Sequence, residues 1–261
     1  MTPTLTDLTS LARHAGGLLR DGYGKRHAIN HKGRIDMVTE MDRLSEDYLV
    51  GQIRANFPGH TIDTEESGLI AGQEGCCWYI DPLDGTTNYA HHVPIFSVSL
   101  AYAENGQTRL GVVYDPMRDE LFSAERGQGA WLNGMPIHVS DTQELLHSLL
   151  VTGFPYDSGQ TNLDHFAHFT RLTQGVRRLG SAALDLCSVA AGRFDGFWEV
   201  TLKAWDIAAG ALIVEEAGGR ATKLYGEADI LQSPVSILAG NPTIHALMLT
   251  EFLDRSTGKL A

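Results

Sequence analysis

The sequence predicts an α+β arrangement in its first half that passes into an α/β arrangement in its second, and three observations predict it. Turn-separated, strand-like runs dominate to about residue 140. Beyond it, strands and helices alternate. A chain of 261 residues, 43% of them hydrophobic, can also bury a large core without disulfide staples. Neither an internal repeat nor a long flexible linker interrupts the pattern. The expected halves, residues 1–140 and 141–261, therefore share one compact body.

A first helix is expected from Thr2 as N-cap, with Pro3 at the first helical position and Leu5, Leu8, Leu11, Ala15 and Leu18 at helical spacing. A polar connector over 21–34 leads to a second helix that starts after Thr39 and carries Met41, Leu44, Tyr48, Leu49 and Ile53. Phe57-Pro58-Gly59 stops it. A short strand should end near Thr64. Strand patterns then occupy 78–80, 95–102, 110–114 and 120–123, with Asn105-Gly106 and Asp115-Pro116 as turns. The Gly- and Asn-rich stretch 127–139 reads as a further hairpin. In the second half, strands are expected over 148–152, 176–179, 194–200 and 236–239. Helices are expected over 162–174, 181–191, 205–217 and 242–253.

Thirty-two acidic against 20 basic residues give a net charge of −12, which repels nucleic acid and anionic membrane. Direct contact with either is not expected. Cys76, Cys77 and Cys187 cannot pair completely and lack zinc-type spacing, so all three read as reduced thiols. The N-terminus has no signal-peptide pattern, and the longest apolar stretch, 207–214, is far short of the ~20 residues that span a bilayer. A cytoplasmic protein is expected.

The densest chemical signal is Asp81-Pro82-Leu83-Asp84-Gly85-Thr86-Thr87, at the end of an apolar strand pattern. Pro82 fixes φ and removes a donor, and Gly85 permits a sharp turn. Such a turn can aim two carboxylates and the Leu83 carbonyl at one point, an all-oxygen nest suited to Mg²⁺. Thr86 and neighbouring N–H groups suit a phosphate. A capped surface turn uses the same residue types, and that reading stays open on the motif alone. The alternating acids of an EF-hand are missing. Three other acidic patches accompany it: 36–42, Glu65-Glu66, and Asp206. Asp42 could complete a Thr39-x-x-Asp42 capping box, and Asp206 could cap its helix. Spacing alone does not bring the four together.

With Glu65-Glu66-Ser67, Asp81 to Thr87, and Trp205-Asp206 in this order, the sequence resembles the inositol monophosphatase family of lithium-sensitive, Mg²⁺-dependent phosphatases. The similarity runs from about Asp36 to Gly219 and includes Gly180-Ser181-Ala182. The resemblance implies a layered αβαβα sandwich, of the type shared with fructose-bisphosphatases, and commonly a homodimer. It implies two or three Mg²⁺ ions per site. Glu65, Asp81 and the Leu83 carbonyl match the ligands of one ion; Asp81, Asp84 and Asp206 match those of a second. Thr86 and Glu65 match residues that orient the attacking water, and Asp42 matches the acid that hydrogen-bonds the loop threonine. Glu66 is expected to hold ligands in place. Asp84, Gly85 and Thr86 are expected at the phosphate, and Ser181, Ala182, Glu199 and Asp206 at polyol hydroxyls.

Lys32 lies near a lysine of the relatives, and Arg177 and Arg178 could order acidic groups or support a dimer. Thr64 departs from the glycine often found before the two glutamates. The implied activity is hydrolysis of a sugar or polyol phosphate monoester, with myo-inositol 1-phosphate first. Histidinol phosphate, fructose 1,6-bisphosphate and L-galactose 1-phosphate are alternatives. A different class, a protein-binding regulator, is implied by relatives that partner the transcription machinery. The adjacent His91-His92, Gly127-Gln128-Gly129, and the aromatics Phe194, Phe197 and Trp198 carry no expected role beyond turn and core.

Overall fold

A computed structural model of the protein describes residues 1–25, 29–31, 37–154 and 161–256. Lys32 and Asp36 lie outside the described residues. The chain runs α1 (Leu5–Gly22), β1 (Ile29–His31), β2 (Met37–Thr39), α2 (Glu40–Asn56), β3 (His60–Thr64), β4 (Gly68–Ile70), β5 (Gln73–Asp84) and α3 (Thr86–Ala90). β6 (Ser97–Glu104), β7 (Gln107–Asp115), β8 (Glu120–Glu125), β9 (Ala130–Leu132) and β10 (Met135–Pro136) follow. Next come β11 (Leu149–Thr152), α4 (Thr161–Leu172), β12 (Gly175–Arg177), α5 (Ala182–Ala190) and β13 (Gly196–Leu202). The chain closes with α6 (Ala204–Glu216), β14 (Arg220–Thr222), β15 (Val235–Gly240) and α7 (Pro242–Ser256).

Thr4, not Thr2, caps α1. Both residues precede the apolar stripe, but only Thr4 has an acid at the third helical position. Asp7 completes a reciprocal capping box with it. The expected box on α2 is present between Thr39 and Asp42.

Eight strands form the first sheet in the order β10-β9-β8-β7-β6-β5-β3-β4, antiparallel apart from the parallel pair β3–β5. The second sheet has the order β12-β11-β13-β15-β14. Its first three strands are parallel, as the strand–helix alternation predicts, but β15 and β14 add in antiparallel sense. The two sheets draw on separate stretches of chain, with the change between Pro136 and Leu149.

Three hydrophobic cores hold five layers together. Leu8, Leu19 and Leu49 of α1 and α2 pack on Trp78, Leu100 and Val112 of the first sheet. In the middle, Leu186 of α5 and Ile207, Leu212 and Ile213 of α6 fill the space between the sheets. Beyond the second sheet, Phe169 of α4 and Met248 and Phe252 of α7 cover Trp198. The order α/β/α/β/α explains why β6 lacks a polar face: both its sides are covered, so the inside–outside alternation disappears. No helix among the described residues is long and apolar enough to cross a membrane.

One close approach sets the spacing between the first sheet and α6. A Cβ placed on Gly111 of β7 would lie 2.9 Å from the Ala209 carbonyl oxygen. Backbone cannot yield there as a side chain would. Gly111→Ala is expected to cost about 1–3 kcal/mol by overpacking. A thermal melt should show it as a fall of roughly 2–4 °C per kcal/mol for a chain of this size.

Candidate active site

In a regular strand, residues three apart face opposite sides of the sheet. Asp81 and Asp84 escape that rule because β5 carries a bulge. Asp81 pairs with Ser99 and Asp84 with Ser97, so three steps on β5 match two on β6. The extra residue turns both carboxylates to the side that meets α5 and α6, while Ile80 and Leu83 enter the core under α1 and α2. Pro82 sits in the bulge, where no ladder donor is needed, and its carbonyl accepts the Ser45 hydroxyl at 2.8 Å. Gly85 follows at φ +94°, and a Cβ there would lie 2.9 Å from the Ile95 carbonyl oxygen. Conformation and space both require glycine.

Helix N-termini and caps hold the acids. Asp84 Oδ2 accepts the Ser181 hydroxyl at 2.5 Å and the Ala183 N–H at 2.9 Å, and Oδ1 accepts the Ala182 N–H at 3.3 Å. These are the cap and first turn of α5, a favourable place for a carboxylate. Ser181 is fully buried, so its hydroxyl supports Asp84 from beneath. Asp206, in the first turn of α6, accepts the Lys203 N–H at 2.7 Å through one oxygen. Asp42 accepts from Thr39 with Oδ2, and its Oδ1 lies 2.8 Å from the Thr86 hydroxyl. That hydroxyl is also 3.0 Å from the Leu83 carbonyl oxygen. Asn88 Nδ2 donates to the Ile95 and Leu179 carbonyls, tying the turn after Gly85 to the Gly180 turn.

Glu65 follows β3, and its N–H donates to the Ile80 carbonyl at 3.3 Å. Thr64 keeps regular pairing with Ile80 and with Gly68, and the left-handed residue of this hairpin is Gly68 at φ +68°. A β-branched residue is accommodated at Thr64 for that reason. Glu199 of β13 is buried against Gly153, where a Cβ would overlap the Glu199 carboxylate. Arg178, exposed and stacked over Phe154, lies within electrostatic reach of Glu199. Asp185, on the inward side of α5, is 1% exposed, and its Oδ1 has no hydrogen-bond partner.

Loss of water and like charge act together on these groups. Burial first, then the negative charges of Glu65, Asp84 and Asp206, push Asp81 well above the usual carboxylate range. Burial raises Asp84 too, against the opposing hydrogen bonds from Ser181, Ala183 and Ala182. Asp206, half-buried by its own exposure but ringed by protein, is driven well above by lost hydration, and its bond from Lys203 N–H opposes. Burial raises Glu199 and Asp185 as well, and in both the charge of Asp84 adds to it.

The donor set here is carboxylate and carbonyl oxygen throughout, without sulfur or imidazole, and it suits a hard cation such as Mg²⁺. Among the described residues, no three acidic, His or Cys side chains are drawn close enough to cage an ion by themselves. Glu65, Asp81, Asp84, Asp206 and Leu83 thus share one acidic region, and Gly85, Thr86, Asp42, Ser181, Ala182 and Glu199 flank it. The expectations left out Ser45, Glu46, Asn88, Gly153 and Asp185. Asp185 had a legible signal, an acid inside the apolar run 182–190. Gly153 had none.

Fold and site define a five-layered α/β protein built around a group of hard-oxygen donors. The chain belongs to the inositol monophosphatase family, whose sequence profile matches residues 1–256. It is 47% identical over 239 residues to the Nus factor SuhB of Pasteurella multocida, covering 89% of this chain and 90% of that protein. Among solved structures, the extragenic suppressor protein suhB of Bartonella henselae superposes with a TM-score of 0.90 at 39% identity, covering 94% and 96% of the two chains. The inositol monophosphatase of Anabaena superposes with a TM-score of 0.85 at 45% identity, covering 94% and 93%. Membership in the family supports phosphatase activity.

The unpartnered acid gives a pH test. A carboxyl raised in the folded state above its unfolded value stabilises fully below about pH 4, and that contribution is lost as pH rises through the folded value. Asp185→Asn removes the loss. In EDTA, the melting temperature of Asp185→Asn minus that of wild type should therefore grow from pH 5 to pH 8. A constant difference would show that Asp185 does not carry this charge penalty.

Proposed function

We propose that the chain is a Mg²⁺-dependent phosphatase that hydrolyses a sugar or polyol phosphate monoester, with myo-inositol 1-phosphate as substrate. The observation that carries the reading is the bulge in β5, which puts Asp81 and Asp84 on the face where Glu65 and Asp206 add charge. Glu65, Asp81 and the Leu83 carbonyl would hold one ion; Asp81, Asp84 and Asp206 would hold a second, within a complement of two or three. Bound Mg²⁺ supplies Lewis acidity, making water more acidic and stabilising negative charge on the phosphate and the leaving oxygen.

The chain's own residues do the positioning. With its own hydrogen bond donated to Asp42, the Thr86 hydroxyl keeps lone pairs to accept a hydrogen bond from the attacking water. Glu65 accepts the water's other hydrogen bond. The N–H groups of Gly85 and Thr86 donate to phosphate oxygens, fixed in place by a turn that only glycine can make. Glu199 and the outer oxygen of Asp206 accept from a vicinal diol, and Ser181 and Ala182 act by holding Asp84. Glu66 supports the ligands from its place beside Glu65. The working unit is a homodimer.

The same chemistry would serve histidinol phosphate or fructose 1,6-bisphosphate. A second reading, favoured by the name of the Pasteurella relative, is a Nus-factor role in which the fold serves as a protein-binding surface.

A panel of phosphate esters supplied with Mg²⁺ separates these readings. Asp84→Asn should lower kcat/KM on the best ester by ~100-fold or more, roughly 2.7 kcal/mol, without changing the circular dichroism. Wild type that hydrolyses no ester of the panel would leave only the partner-binding reading. Glu199→Gln should lose ~10-fold on a polyol phosphate, about 1.4 kcal/mol, and change little on p-nitrophenyl phosphate, which has no diol. Equal losses on both would move Glu199 from substrate to metal or fold. Lithium should inhibit in competition with Mg²⁺ at the site of Asp81, Asp84 and Asp206, and a flat Li⁺ titration would rule that site out as its target.

A further inference from the structure

We infer that Glu46 is a positioning residue for the Glu65 hairpin: its carboxylate is the clamp through which α2 sets Glu65 for Mg²⁺. The inference rests on the metal reading above and adds to it a residue outside the expected ligand set and its supports.

Glu46 is 3% exposed in the second turn of α2. Its Oε2 accepts the Thr64 hydroxyl at 2.5 Å and the Glu66 N–H at 2.9 Å, and its Oε1 accepts the Ser67 hydroxyl at 2.5 Å. All three donors belong to one hairpin, and they bracket Glu65 on both sides. A buried carboxylate is costly, and three hydrogen bonds to it, two of them short, are the compensation. Stability alone does not ask for it. The inward face of α2 carries Met41, Leu49 and Ile53, and an apolar side chain at 46 would continue that stripe. A charge held there at a cost fits a requirement for geometry.

The neighbouring positions act in the same way. Asp42, Ser45 and Glu46 stand at i, i+3 and i+4, on one side of the helix. Asp42 meets Thr86, Ser45 meets the Pro82 carbonyl, and Glu46 meets the Glu65 hairpin. One rigid helix thus touches both chain segments that supply ligands for the first ion. Tying the hairpin to that helix fixes Glu65 relative to Asp81 and Leu83 before any cation arrives. Outer partners of metal ligands act through such positioning.

The test reads Mg²⁺ binding by calorimetry on the full chain, alongside kcat as a function of Mg²⁺. Glu46→Leu should raise the Mg²⁺ concentration for half-saturation by ~10-fold or more, with a much smaller loss of kcat once Mg²⁺ saturates. Glu46→Gln should recover most of the affinity, because its amide oxygen can accept from Thr64 and Glu66 while its NH₂ donates to the Ser67 oxygen. Should Glu46→Leu fail to fold, two lighter variants decide. Ser67→Ala, at an exposed position, and Thr64→Val each remove one arm and should weaken Mg²⁺ binding roughly threefold.

Unchanged Mg²⁺ affinity in Ser67→Ala, Thr64→Val and Glu46→Leu overturns the clamp while the metal reading stands. Equal weakening by Glu46→Gln and Glu46→Leu also overturns it, since charge and not hydrogen-bond geometry would then be responsible. Wild type that binds no Mg²⁺ overturns the metal reading, and the clamp with it.

Discussion

Repulsion among buried carboxylates is the constraint on which the rest of this structure depends. Asp81, Asp84, Asp206, Glu199 and Asp185 lie where the first sheet, the middle helices and the second sheet meet. Each is raised by lost hydration, and each of the three acids facing Asp84 across the seam feels its charge. A fold that collects such groups must answer them with fixed donors, bound cations or protons. The answer given by this chain is to set acids at helix beginnings. Asp42, Asp84 and Asp206 each take backbone N–H groups at the start of a helix, where the partial positive charge favours an anion.

This arrangement links layers that share little sequence proximity. Asp84 belongs to β5 and its donors to α5, so the carboxylate is also a cross-strut between the first sheet and the middle layer. Asn88 makes a parallel link from the turn after Gly85 to the Gly180 turn. On the opposite face, α2 reaches the same turn through Asp42 and Ser45. The site is therefore held from both sides of the first sheet. Close packing of the middle layer, with Gly111 against Ala209, keeps those contacts in register.

The second sheet shows a different balance. Glu199 sits on a strand of the second sheet, over a glycine with no side chain to displace it. Asp81 and Asp84 come from the first sheet and Glu199 from the second, so the acidic groups arise from separate sheets that meet at one seam.

Much of this was legible in the sequence because it is local. The Asp81-to-Thr87 turn, the Thr39–Asp42 box, and the strand and helix periods depend on residues within a few positions of one another. The family resemblance rests on the same short motifs. Even a local expectation failed: Thr2 was expected as the cap of α1, but Thr4 caps it, because Asp7 three residues on completes its capping box. What tertiary structure alone decided is the role of residues whose partners are distant. Glu46 and Ser45 break an apolar stripe on α2, a visible signal, but their partners at Thr64, Ser67 and Pro82 appear only when the hairpin and β5 fold beside the helix. The strand pattern at 78–80 did not reveal the β5 bulge, which exists only relative to its pairing with β6. Sequence determines which groups must be satisfied within reach of their own backbone. Which distant groups satisfy them is decided by the packing of layers, because hydrogen bonds and charge repulsion act through space and not along the chain.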